Sequence, residues 1–101
     1  MRAVIKEPGK EPRSIIVPNK LHTLQELVGG YIDCMAFGDD IAILFDDEGK
    51  LKGKKPNIAL PWDDVIVGTV VFVGSDGEDF TDCPLAAEQI SNQLLLRGLV
   101  W

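Results

Sequence analysis

The chain has 101 residues, enough for one domain whose core buries roughly 65% of the unfolded surface. Apolar residues make up 46% and charged residues 26%, the balance of an ordinary globular protein and not of a disordered chain. The net charge is −6, yet four of the ten basic residues, Lys50, Lys52, Lys54 and Lys55, share one stretch; without them six bases face sixteen acids. Such an acidic body repels a phosphate backbone, so direct nucleic-acid binding is not expected; the charge serves solubility or faces a basic partner protein.

Cys34, Cys83 and the single His22 do not make a four-ligand zinc set without carboxylates, and no metal or cofactor is expected. The opening residues MRAVIKEPGK read as a strand and lack the apolar stretch of a secretory leader. The longest uncharged apolar run, residues 65–74, has ten residues and is too short to cross a bilayer. Free thiols and a cytoplasmic setting are expected.

Residues 2–7 and 13–17 are β-prone runs separated by PGKEP, a hairpin pattern. A short helix follows, with Thr23 and Glu26 placed as a capping box and Leu24, Leu27 and Val28 on one face. Gly29-Gly30 closes it. In residues 31–37 alternation puts Ile32, Cys34 and Ala36 on one face, where Cys34 reads as a small buried side chain. Residues 41–45, IAILF, are apolar throughout, as in a strand covered on both sides.

The stretch DDEGK then turns on Gly49, and Lys50, Lys52 and Lys54 fall at alternate positions of a short expected strand. Lysines there fit the protection of a sheet edge. Residues 57–64, NIALPWDD, read as irregular or one helical turn. Residues 65–74, VIVGTVVFVG, read as one central strand, with Gly68 marking a bulge or a close backbone approach. SDGEDFTD, residues 75–82, reads as an acidic loop, and residues 85–98 as a helix that begins after Pro84 and ends at Gly98. The expectation is a single α+β domain over residues 1–101. Its sheet is mostly antiparallel, of about five strands, with a short helix after the first hairpin and a C-terminal helix. The opening order is also that of a β-grasp domain.

Chemistry-bearing patterns are sparse. His22 precedes the expected cap and has no assigned catalytic partner. Cys83 sits at the expected start of a helix, where the dipole favours a thiolate, but four acids in the preceding eight residues oppose it. Asp76, Glu78 and Asp79 surround Gly77 without the ligand spacing or distal Glu of a calcium loop. Phosphate-loop and nucleophile-elbow motifs are missing, so an enzyme is not expected. Trp62, between Pro61 and Asp63, and Trp101 are aromatic residues of the kind enriched at interfaces.

Several blocks together resemble a known family: LVGGYI (27–32), DDIAILFDDEGKLKG (39–53), NIAL (57–60), DVIVGTVVFVG (64–74) and EDF (78–80), then a final helix containing EQI (88–90). The family consists of small acidic proteins of unknown function encoded by bacteriophages, plasmids and conjugative elements. Pro84-Leu85 stands where the family often has Ser-Leu, and the LVW ending is not typical of it. The resemblance implies a mobile-element origin and a place inside a bacterial host, but no reaction. It also draws attention to Gly29, Gly30, Gly49, Asn57 and Gly68. The glycines have backbone explanations; Asn57 reads as a buried structural amide or a ligand contact.

Two functions compete on this reading. The first is a non-enzymatic module that binds a host or mobile-element protein, with Asp76, Glu78, Asp79, Trp62 and Trp101 as candidate contacts. The second is a small-molecule or nucleotide-binding protein with a pocket near Asn57, Trp62 and Gly68. A homodimer, built on a sheet edge and the LVW tail, is compatible with either.

Overall fold

The computed structural model describes residues 1–99; Val100 and Trp101 lie outside the described residues, and with them the expected contact at Trp101. The elements run β1 (Arg2–Lys6), β2 (Arg13–Ile16), α1 (Leu21–Val28), β3 (Ile32–Ala36), β4 (Ile41–Asp46), β5 (Pro56–Leu60), β6 (Asp64–Val67), β7 (Val70–Asp76), β8 (Asp79–Thr81) and α2 (Ala87–Leu96). The main sheet has the order β2-β1-β7-β4-β3, and β8 folds back on the far end of β7. β5 and β6 form a separate two-stranded sheet. Every pairing is antiparallel.

The apolar runs explain this layering. β1, β4 and β7 lie side by side, and both their faces are covered. On one face, Leu24 and Val28 of α1 pack on Ala3, Ile5, Ala42, Leu44, Val71 and Val73. On the other, Ile90 and Leu94 of α2 and Ile58 and Ile66 of the small sheet pack on Val4, Ile43, Val70 and Phe72. Alternate residues of each strand thus serve two cores, and no position of IAILF is left for a polar side chain. Each such side chain, once buried, contributes about 1.5–3 kcal/mol of transfer free energy.

Several local expectations are corrected. The helix α1 begins at Leu21, before Thr23, and its cap residue Lys20 makes no side-chain bond, so the Thr23–Glu26 capping box does not form. Residues 65–74 are two strands in two different sheets, parted at Gly68 with φ 77°. A β-branched side chain at that φ is strained, and glycine lets the chain leave one sheet and enter the other. Residues 57–64 belong to the β5–β6 hairpin, whose turn carries Asp63 at φ 62°. The acidic stretch 75–82 is mostly the β7–β8 hairpin.

Cys34 is exposed, because α1 does not extend over the outer end of β3. Cys83 lies four residues before α2 and is buried. Residues 47–53 are turns, so the lysines do not lie on an edge strand.

Gly74 marks the tightest crossing, where β7 meets the returning chain. A Cβ there would lie 2.2 Å from the carbonyl oxygen of Asp82. Backbone cannot yield as a flexible side chain does. Gly74→Ala is expected to destabilise the fold by about 2 kcal/mol or more in urea titration, whereas Gly77→Ala, with open space around it, costs only the backbone strain of its φ of 64°, about 1 kcal/mol.

Candidate functional site

The lysine-rich stretch is built around Asp46, the last residue of β4. Its side chain is 1% exposed. Lys52 Nζ donates to Oδ2 at 2.8 Å, Lys54 Nζ lies 2.7 Å from the same oxygen, and the Glu48 amide donates to Oδ1 at 2.9 Å. The two ammonium groups do a second job. Lys52 donates to the Gly29 carbonyl at 3.0 Å and Lys54 to the Val28 carbonyl at 2.7 Å. These are carbonyls at the C-terminus of α1, which otherwise lack helical partners and attract positive charge. Burial opposes ionisation of Asp46, but the hydrogen bonds from Lys52, Lys54 and Glu48 outweigh it and hold the carboxyl at about 2, below the ordinary 3.8. Lys50 pairs instead with Asp64 at the start of β6. The lysines expected to guard an edge therefore fasten a turn to a helix end.

Asn57 lies at the opposite end of β5 from Trp62 and is 0% exposed. The β5–β6 register shifts between Pro56 and Ile58, and this bulge turns the Asn57 side chain inward. Its amide nitrogen donates to the carbonyls of Lys6 at 2.9 Å and Gly68 at 2.8 Å. Its oxygen accepts from Lys6 Nζ at 2.5 Å. The amide is fully used inside the protein, which leaves nothing of it to face a ligand. Gly68 is buried as well, while Trp62 stands 61% exposed. The expected pocket joining Asn57, Trp62 and Gly68 is not assembled.

Trp62 belongs to a different feature, a mostly apolar groove of about 410 Å³. Met35, Phe37, Leu60, Arg97 and Leu99 line it with the indole. Arg97 stacks over the Phe37 ring at 4.4 Å from the centroid and closes one side.

The exposed acids gather elsewhere. The turn that carries Asp39 and Asp40 is tied to the β7–β8 hairpin by the Ser75 amide, which donates to the Asp40 carbonyl at 2.8 Å. One end of the sheet thus presents Asp39, Asp40, Asp76, Glu78 and Asp79, all exposed. No ion pair to any of them forms among the described residues, in contrast to Asp46, Asp64 and Asp82. Sequence reasoning had named Asp76, Glu78 and Asp79; it missed Asp39 and Asp40 as their neighbours, because only the fold brings the two turns together.

A family model described as a domain of unknown function, DUF3846, matches residues 1–95. The chain belongs to the DUF3846 family. No curated protein and no solved structure matches it. The DUF3846 fold places its remaining reactive groups apart. Burial pushes the Cys83 thiol up, away from the thiolate form. His22 lies on the exposed side of α1, 2.5 Å from Glu26 one turn on. Among the described residues no three His, Cys, Asp or Glu side chains are grouped to hold a metal ion, and no helix is long and apolar enough to cross a membrane.

Two measurements check the buried polar groups of this DUF3846 chain. Asp46→Asn strips the counter-charge from two ammonium groups and is expected to cost about 3 kcal/mol. The native carboxyl has a lower pKa folded than unfolded. Its contribution, roughly 2 kcal/mol, is complete above about pH 5 and is lost as pH falls from about 4 to 2. Urea titrations across that range should show a steeper slope in the wild type than in Asp46→Asn, which keeps only the shallower dependence from Glu7 and Asp64, whose carboxyls are also held below their ordinary values by arginine and lysine partners. Asn57→Ala leaves two buried carbonyls and Lys6 without their partner, and a loss of about 3 kcal/mol is expected in the same assay.

Proposed function

We propose that this DUF3846 chain is a non-enzymatic interaction module whose acidic end engages the basic surface of a protein partner. The observation that carries this reading is the contrast between its two charge clusters. Lys50, Lys52 and Lys54 are spent on Asp46, Asp64 and the end of α1. Asp39, Asp40, Asp76, Glu78 and Asp79 are exposed and make no ion pair among the described residues. Five like charges on two adjoining turns repel one another, and a basic partner relieves that repulsion. A surface shaped to grip nucleic acid offers the matching charge, and an acidic mimic of nucleic acid would act by occupying it. The resemblance to proteins of bacteriophages, plasmids and conjugative elements supports a host protein in the bacterial cytoplasm as the partner. The exposed Trp62 supplies an aromatic anchor beside an apolar groove for a second point of contact.

The test is affinity capture from bacterial lysate with the wild type and with a variant carrying Asp39→Asn, Asp40→Asn, Asp76→Asn, Glu78→Gln and Asp79→Asn. Basic proteins retained by the wild type should fall by about tenfold on the variant, and retention by the wild type should weaken steeply as salt rises. Equal retention by both proteins at every salt concentration would overturn the proposal.

A further inference from the structure

The two edges of the main sheet are finished differently. β2 carries Arg13 and is bracketed by Pro12 and Pro18. Charge and proline both discourage another strand from adding there. β3, at the other edge, has the sequence IDCMA with no lysine, arginine, proline or bulge. The Phe37 amide donates to the Ile41 carbonyl and the Asp47 amide to the Tyr31 carbonyl, each at 2.8 Å. These bonds fix the parity of the ladder, so the N–H and C=O groups of Ile32, Cys34 and Ala36 face away from β4. One of these outward amides, that of Cys34, bonds to the neighbouring Asp33 carboxylate at 2.8 Å, a local substitute for a strand.

We propose that β3 is the interface of a symmetric homodimer, in which two copies pair antiparallel about Cys34 and join their sheets into one. The sequence of β3 is self-complementary in this register. Ile32 opposes Ala36 of the second copy, Cys34 opposes itself on the two-fold axis, and Asp33 opposes Met35 rather than another acid. Three outward-facing pairs exchange about six backbone hydrogen bonds. The Cys34 amide passes from its Asp33 carboxylate to a carbonyl of the second copy. A shift of register by one residue either way would turn the side-chain faces over.

The flanks favour the same occupant. Met35 lies at the mouth of two neighbouring grooves, one shared with Leu60 and Trp62 and one with Phe45 and Leu60. Pairing about Cys34 brings a second Met35 over this apolar ground. It also sets the Asp39–Asp40 turn of each copy beside the Gly29–Tyr31 end of the other, where Lys52 remains 42% exposed. Lys52, whose charge Asp46 already balances, adds only a weak attraction for those acids. The interface is small, so the association is concentration-dependent rather than permanent. It leaves Asp76, Glu78 and Asp79 free but engages the Asp39–Asp40 turn, which the acidic-end proposal also uses; the two proposals rest on different observations, a strand edge and a charge cluster, and are tested separately.

Sedimentation velocity over a rising concentration series tests the pairing. The wild type should pass from monomer to dimer. Cys34→Lys places two positive charges on the axis and should weaken the dimer at least about tenfold; Ala36→Lys, on the same outward groups, should act likewise. Both sites are exposed, so circular dichroism and thermal midpoint report whether the monomer fold is retained. Diamide, which takes up two electrons and two protons as a disulfide forms, should link the two copies through Cys34, and Cys34→Ser should abolish the link. A wild type that stays monomeric at every concentration overturns the proposal, and an added strand from another protein is then the remaining use of the edge. A dimer that survives both lysine substitutions in folded protein overturns it equally, since its interface lies elsewhere.

Discussion

The fold depends on one buried carboxylate. Asp46 ends a central strand, and a charge at that depth is tolerable only because two ammonium groups and a backbone amide meet it. Those same lysines also hold the C-terminal carbonyls of α1. Three separate elements, β4, the turns of 47–53 and α1, are therefore locked by a single cluster. A helix of two turns is marginal by itself. Here its apolar face is buried on the sheet and its last carbonyls are neutralised by lysines from a distant turn. Glycine is required close to the cluster for the same reason: a Cβ on Gly30 would lie 2.6 Å from Asp46 Oδ1 and from Lys52 Nζ. The adjoining Gly29-Gly30 pair is thus both a helix stop and a space for the ion cluster.

This cluster also shows where sequence reading succeeds and where it stops. β1, β2 and β4 were legible because β-branched, apolar runs between turn residues have few other uses. The antiparallel α+β class followed from their order. The lysine stretch was not legible. Alternating lysines fit an edge strand and a clamp equally well, and what decides is the distance to Asp46, which alternation does not encode. Residues 65–74 failed for a related reason. Continuous apolarity describes burial, and both β6 and β7 are largely buried, so the passage from one sheet to another leaves no mark in hydropathy. Gly68 was the one signal of it. Cys34 illustrates the reverse error: alternation gave its face correctly, but whether that face is covered depends on how far α1 reaches.

Charge was more legible than shape. Asp76, Glu78 and Asp79 could be picked out because Gly77 and the lack of apolar residues put them on a turn, and turns lie at the surface. Their meaning comes from what the other charges do. Were the lysines free, the molecule would be an acidic body with a basic finger. With Lys50, Lys52 and Lys54 paired, the acids at one end of the sheet are left without counter-charges among the described residues. Trp62 was recognised by its loop position as well, and the groove beside it owes its floor to Met35, Phe37 and Leu99, which come from distant parts of the chain.

Asn57 draws the physical argument together. The small sheet must sit on the large one in one position, and apolar packing alone specifies position weakly. Asn57 supplies two donors and one acceptor from a single short side chain. They are spent on the carbonyl of Lys6 in β1, the carbonyl of Gly68 at the crossing between sheets, and the ammonium group of Lys6. An aspartate could not donate, a leucine could do neither, and a glutamine would not fit the same geometry without moving the bulge. Burial lowers the pKa of Lys6 and the Glu11 carboxylate offsets part of that, while the Asn57 oxygen gives the ammonium group its hydrogen-bond partner. The bulge at Asn57 and the left-handed turn at Gly68 are two halves of one device: the first points the amide inward, and the second delivers the carbonyl that receives it.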